Sequence, residues 1–177
     1  QSNLTGEQII REVYERETPT DQSGQLTMTL ENNRGDQRVR EIEQYIKDFG
    51  DNEKKIMFFT APADVRNTSF MNWSYNEEGK EDDQWIYLPA LKRVKRISSS
   101  SSGDYFLGSD FTYDDLGARS PSEDIHTLLR EESLEGELCY VVESKPKNKN
   151  YMYSRTLSWI IKDKLIGLKK EFYDEDG

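Results

Sequence analysis

Three stretches decide the fold: Lys55-Ile56-Met57-Phe58-Phe59-Thr60, Thr68-Ser69-Phe70-Met71-Asn72-Trp73-Ser74-Tyr75 and Gln84-Trp85-Ile86-Tyr87-Leu88. Each is five to eight residues long, rich in aromatic and β-branched residues, and bounded by turn formers such as Ala61-Pro62 and the polar run Asn76 to Asp83. Runs of that length and composition read as strands. Successive strand side chains point to opposite faces. Ile56 to Phe59 is therefore apolar on both faces, as are Phe70 to Tyr75 and Trp85 to Leu88. A strand apolar on both faces needs a cover on each side. One expected cover is an N-terminal helix; the other is a bound apolar ligand or a loop lid. An ordinary two-layer core satisfies the same pattern.

Working outward, Leu4 to Arg16 places Ile9, Ile10, Val13 and Tyr14 on one helical stripe. Thr5 and Gln8 stand in capping-box spacing, and Thr18-Pro19 stops the helix. Beyond it the period changes to two. Leu26, Met28 and Leu30 alternate with polar residues, Asn32-Asn33-Arg34-Gly35 turns, and Arg38 to Lys47 returns as a hairpin partner. Lys92 to Ile97 pairs back on Gln84 to Leu88 around Pro89-Ala90. The serine run Ser98 to Gly103 reads as a mobile loop, and Tyr105 to Leu116 as an irregular segment or short helix over the sheet. Strands follow at 124–134, 137–144, 153–161 and 165–173, with turns at Glu135-Gly136, Lys145 to Asn150 and Lys162-Asp163-Lys164. One helix and about ten short strands without βαβ alternation is a mainly β, antiparallel meander. The chain ends in Asp174-Glu175-Asp176-Gly177, itself a hairpin-turn signal, so more strands are expected after it. The opening Gln1-Ser2-Asn3 looks like the remnant of a cleaved tag, leaving 4–177 as one domain.

The chain has 177 residues, 34% hydrophobic and 33% charged, and a net charge of −10. That length buries an adequate core without disulfides or metals. The acidic balance repels phosphate backbones, which argues against nucleic acid as a partner. No stretch of about 18 apolar residues is present. Cys139, the one cysteine, lies in Leu138-Cys139-Tyr140-Val141-Val142 and reads as a small buried hydrophobe. Ser109 in Gly108-Ser109-Asp110 invites a hydrolase reading. However, the one histidine, His126, sits in an alternating strand pattern, and there is no nucleophile elbow. Asp82-Asp83 and Asp174-Glu175-Asp176 lack the spacing of a calcium loop and read as turns. No metal site, phosphate loop or cofactor fingerprint is present, so no cofactor and no catalysis are expected. The basic cluster Lys92, Arg93, Lys95 and Arg96 could meet lipid phosphates, an acidic partner, or the chain's own carboxylates.

Four runs carry a family resemblance: 38–41 (Arg-Val-Arg-Glu), 57–65 (Met-Phe-Phe-Thr-Ala-Pro-Ala-Asp-Val), 82–94 (Asp-Asp-Gln-Trp-Ile-Tyr-Leu-Pro-Ala-Leu-Lys-Arg-Val) and 108–113 (Gly-Ser-Asp-Phe-Thr-Tyr). From about Leu4 to the last residue the chain resembles bacterial outer-membrane lipoprotein-sorting proteins related to the LolA and LolB carriers. The resemblance implies a half-open antiparallel β-barrel with a helical or loop lid over an apolar cavity, more strands beyond Gly177, and a periplasmic location. It implies a non-enzymatic binder of lipids or lipoprotein acyl chains, carrying them between inner and outer membrane with an inner-membrane exporter or an outer-membrane receptor as partner. The alternative is an interaction or sensor module beside a membrane exporter. In the carrier reading, Leu26, Met28, Leu30, Phe58, Phe70, Trp73, Trp85 and Tyr87 are expected to line the cavity. Phe106 and Phe111 would serve as lid residues, and Lys92, Arg93, Lys95 and Arg96 as headgroup or partner contacts.

Overall fold

A computed structural model describes residues 4–77, 79–174 and 176. Gln1-Ser2-Asn3, with Glu175 and Gly177 of the final acidic turn, lie outside them. The fold is mainly β and antiparallel. Its elements are helix α1 (Gly6–Tyr14) and strands β1 (Asp21–Glu31), β2 (Gln37–Asp48), β3 (Asn52–Ala61), β4 (Ser69–Tyr75), β5 (Asp83–Leu88), β6 (Arg93–Ile97), β7 (Asp124–Leu134), β8 (Glu137–Pro146), β9 (Arg155–Ile161) and β10 (Gly167–Tyr173). They form two compact units, residues 19–118 and residues 1–18 with 119–177.

The first unit is a six-stranded meander in chain order β1 to β6. Residues paired across an antiparallel ladder share a face. The register therefore sorts this sheet cleanly. Leu26, Ile42, Phe59, Met57, Phe70 and Ile86 fall on one side. Tyr45, Ile56, Met71 and Trp85 fall on the other. Thr60 is an extra residue between the Glu41–Ala61 and Ile42–Phe59 pairs, a bulge that resets the phase of β3 against β2. The first side, the inner face, holds the unit's core: Ile42, Met57, Phe59, Phe70, Ile86 and Ile97, with Phe106 inserted among them.

The second unit is a four-stranded meander, β10-β9-β8-β7, buried on both faces. On one, Cys139, Val141, Leu157, Trp159 and Ile161 pack together. On the other, Ile9 of α1 is fully buried among Tyr140, Val142 and Ile160. The capping box reads as expected: Thr5 Oγ1 accepts from the Gln8 N–H and Gln8 Oε1 from the Thr5 N–H. The β7–β8 hairpin turns through Glu135 and Gly136, both at positive φ (52° and 85°), as a two-residue turn matched to strand twist requires.

The structure adds detail to three expectations. Within the first unit the cover over β3–β5 comes from residues 104–118, the segment expected to lie over the sheet, and α1 packs within the second unit. The antiparallel strands divide into two sheets, β1 to β6 and β7 to β10. The serine run is not featureless: Ser99–Ser101 make a turn of 3-10 helix, and the Ser102 carbonyl accepts from the Asp114 N–H at 2.9 Å. Cys139 is a free, fully buried thiol whose pKa burial pushes up, in line with an inert packing role.

Candidate functional site

The covering segment is a small turn with one aromatic driven inward. Tyr105 bridges Thr112, and the Phe106 N–H donates to the Phe111 carbonyl at 2.7 Å. Leu107 and Gly108 both take positive φ (49° and 74°). For Leu107 that is a sparsely populated conformation, tolerated where surroundings over-determine it. The turn aims Phe106 at the inner face, where it is fully buried. Its ring lies 5.2 Å from Phe70, 5.7 Å from Tyr113 and 6.0 Å from Phe59. Phe111, by contrast, is 49% exposed.

Polar clips hold the segment at both ends. At one, the Arg40 guanidinium is buried and donates to the Leu107 carbonyl at 2.8 Å. At the other, Lys55 Nζ donates to the Leu116 carbonyl and Gln84 Nε2 to the Tyr113 carbonyl at 2.8 Å. Asp82 Oδ2 accepts from the Ala118 N–H at 2.8 Å and from Asn72 Nδ2 at 2.9 Å. Asn72 Oδ1 accepts in turn from Gln84 at 2.8 Å. Burial lowers the Lys55 pKa against the pull of Glu53 and Asp82. Burial raises that of Asp82, opposed by its hydrogen bonds from Ala118 and Asn72 and by Lys55.

The Asp82 shift sets a pH dependence. A carboxyl whose folded pKa is raised takes up its proton before the unfolded chain does, so its contribution is favourable at low pH and is lost as pH rises through the folded value. Asp82→Asn carries no such term. Wild type is therefore expected to gain stability relative to Asp82→Asn as pH falls from neutral through that raised pKa. Thermal unfolding of both chains at neutral and acidic pH checks the sign.

The eight expected cavity residues do not line one hollow. Leu26, Met28, Leu30 and Phe70 are on the inner face with Phe106, whereas Phe58, Trp73, Trp85 and Tyr87 are on the outer one. The cause is phase. Strands apolar on both sides give no signal for which parity faces inward, and one residue of slip exchanges the faces. Of the expected lid pair, Phe106 faces the sheet and Phe111 does not. Lys92, Arg93, Lys95 and Arg96 lie exposed on and just before the edge strand β6, with Arg96 ion-paired to Asp83.

Arg40, Lys55, Asn72, Asp82 and Gln84 were missed. Their signal was an interruption: Asn72 breaks Phe70-Met71-Trp73, and Gln84 precedes Trp85 where a solvent-facing residue was the simpler reading. The groups that tempt a catalytic reading are engaged locally. Ser109 Oγ donates to the Phe106 carbonyl at 2.7 Å and stabilises the turn. His126 is buried, Nδ1 2.7 Å from Ser144 Oγ and Nε2 2.9 Å from the Pro121 carbonyl. Among the described residues, no three His, Cys, Asp or Glu side chains gather as a metal site, and no helix is long and apolar enough to cross a membrane.

A family model described as "Uncharacterized protein" matches residues 51–177. No curated protein matches the chain. Among solved structures, it is 36% identical to a domain from Vibrio parahaemolyticus named for outer membrane lipoprotein sorting, over 97% of this chain and 73% of that one, with a TM-score of 0.84. It is 34% identical to a DUF1329 family protein from Desulfovibrio piger, again over 97% and 73%, with a TM-score of 0.85. A LolA superfamily protein from Nitrosomonas europaea, 19% identical over 98% of this chain and 74% of that one, shares the fold at a TM-score of 0.63.

Proposed function

Since this chain belongs to the family of outer-membrane lipoprotein-sorting and DUF1329 proteins, we propose that it is a periplasmic carrier whose inner face takes an acyl chain in exchange for Phe106. The observation that supports the reading is that Phe106 fills the inner face from a segment fixed by polar clips at its ends. A plug of that kind can leave without unravelling the sheet beneath it. The lipid or lipoprotein would be taken up at the inner membrane and released at the outer, with no chemistry on the cargo.

Magnitudes make the exchange feasible. Burying a phenylalanine side chain is worth about 1.5–3 kcal/mol, and each buried methylene about 0.8. Giving up a charged hydrogen bond such as Arg40 to Leu107 costs about 1.5–3 kcal/mol more. Together these require about four to seven methylenes to offset. Butyrate is therefore expected to bind poorly and palmitate well, with octanoate near the threshold. Arg40→Met, which removes the clasp but keeps the stem, is expected to shorten the threshold chain by about two to four methylenes. Titration of fatty acids of graded length against both proteins measures it, and equal thresholds would remove Arg40 from the gate.

The direct test is extraction of the protein, purified from bacterial cells, with organic solvent followed by mass spectrometry, alongside uptake of a fluorescent fatty acid. Co-purifying lipid with saturable uptake supports the carrier. Repeated absence of both overturns it. A second reading, a non-enzymatic interaction or sensor module beside a membrane exporter, is favoured by the same filled face if Phe106 stays in place. It predicts partner capture by crosslinking without any lipid.

A further inference from the structure

The acyl exchange leaves unexplained the opposite face of the six-stranded sheet and its β6 edge. Four cations, Lys92, Arg93, Lys95 and Arg96, fall within five residues of a chain with net charge −10. All four are exposed, and among the described residues Arg96 alone is paired with a carboxylate, that of Asp83. Cations on an edge strand have a general use: they discourage sheet-to-sheet aggregation. That role does not account for the apolar side chains between them. Leu91 and Val94 are each 61% exposed. Val94 pairs with Tyr87 and Arg96 with Trp85, so the edge continues onto the outer aromatic face. There Trp85 meets Trp73 at 5.2 Å, and Lys54 Nζ stands 3.7 Å over the Trp73 ring.

We propose that Leu91 to Arg96, with the adjoining Trp85 and Tyr87, is a docking surface for an anionic phospholipid bilayer. Each component has a place at such an interface. Lysine and arginine near an anionic leaflet strengthen attachment roughly fivefold apiece. Tryptophan and tyrosine settle at headgroup depth with an apolar body and a polar tip. Leu91 and Val94, poorly placed in water, enter the acyl boundary. In a chain of net charge −10 the cluster also orients approach, because an anionic surface repels most of the rest of the molecule. Asp83 lies beside the surface but is neutralised by Arg96 and accepts from the Tyr75 hydroxyl at 2.6 Å, which with Arg96 holds its pKa down. Val94 and Arg96 stand on the outer side, whereas Arg93 and Lys95 pair with Leu88 and Ile86 at the open edge of the inner face. The bilayer is thus met by the β6 edge from both sides, and the proposal does not require acyl carriage.

Flotation of the whole chain with phosphatidylcholine vesicles, with and without phosphatidylglycerol, tests it. Attachment is expected only with phosphatidylglycerol and is expected to be reversed by salt. Combined Lys92→Glu, Arg93→Glu and Lys95→Glu is expected to weaken it at least about a hundredfold, since three favourable contacts are lost and three repulsive ones gained. Leu91→Ser with Val94→Ser is expected to weaken it severalfold. Lys145→Glu, Lys147→Glu and Lys149→Glu make the same change in net charge elsewhere and are expected to leave attachment largely intact. All eight substituted positions are exposed, and an unchanged circular dichroism spectrum verifies the fold. Failure of wild type to float with phosphatidylglycerol, equal flotation without it, equal loss in both triple variants, or capture of polyglutamate in place of vesicles would each overturn the proposal. Fatty-acid uptake by the Leu91→Ser, Val94→Ser variant, whose altered position 94 is on the outer side with Tyr87, reads the carrier function separately and is expected to be unchanged.

Discussion

Phe106→Ala is expected to destabilise the lipid-free protein by about 3–5 kcal/mol while tightening its grip on a long acyl chain about ten- to a hundredfold. The first half follows from burial. The ring is fully enclosed and touches three other aromatic rings edge-on or tilted, so truncation loses transfer energy, packing and the aromatic contacts together. A position on a connecting segment would ordinarily tolerate such a change. The second half follows from exchange. In wild type an incoming chain must displace a side chain worth about 1.5–3 kcal/mol, and in the variant it enters a vacated volume. Denaturant unfolding of lipid-stripped protein, repeated with palmitate, measures both, because a ligand that binds the folded state adds stability by mass action. The variant is expected to regain more from palmitate than wild type does. A variant that is destabilised but gains nothing from palmitate would make Phe106 an ordinary core residue and the segment a fixed part of the sheet's cover.

The elements were legible in the sequence because their signals are local. Period-two alternation at Leu26, Met28 and Leu30, turn chemistry at Asn32 to Gly35 and Glu135-Gly136, and the Thr5–Gln8 capping box each act within a few residues. What needed distant partners was not legible. Arg40 meets a carbonyl 67 positions away, and Lys55 one 61 positions away; both look like solvated strand residues until the covering segment supplies an acceptor. Likewise the stripe Ile9, Ile10 and Val13 announces a helix with one apolar face but carries no address for the sheet it packs on. The candidate site was half legible for a different reason. Phe58 and Phe59 are chemically identical, yet Phe59 is 1% exposed and Phe58 39%. The bulge at Thr60 and the pairing of Ile42 with Phe59 decide between them, and neither has a signature in composition. Phe58, Trp73, Trp85 and Tyr87, expected beside Leu26, Met28, Leu30 and Phe70, thus stand on the opposite side of the sheet.

Gly6→Ala carries the other large effect, and here two opposing terms must be weighed. Alanine is the better helix former by about 0.8–1.0 kcal/mol in a helix interior, and by less at the first turn, where Gly6 stands. Against this, a Cβ at Gly6 would lie 2.6 Å from the Leu128 nitrogen, 2.7 Å from the His126 oxygen and 2.7 Å from the Thr127 carbonyl carbon. All three are backbone atoms of β7, held in its ladder with β8, and cannot step aside as a flexible side chain would. The helix must retreat instead. Retreat loosens the Glu7 carboxylate from the His126 N–H, which it meets at 2.8 Å, and draws Ile9 away from Tyr140, Val142 and Ile160. Overpacking of this kind costs about 1–3 kcal/mol, and the immobility of the opposing atoms puts Gly6 at the upper end. The clash therefore wins, and a net loss of about 2 kcal/mol is expected. Gly24→Ala, in β1 with open space around it, is the matched control and is expected to be neutral to slightly stabilising. Thermal unfolding of the two variants beside wild type decides the matter. A Gly6→Ala chain as stable as the Gly24→Ala chain would mean that α1 rides loosely on β7, and that the burial of Ile9 is not what seats it.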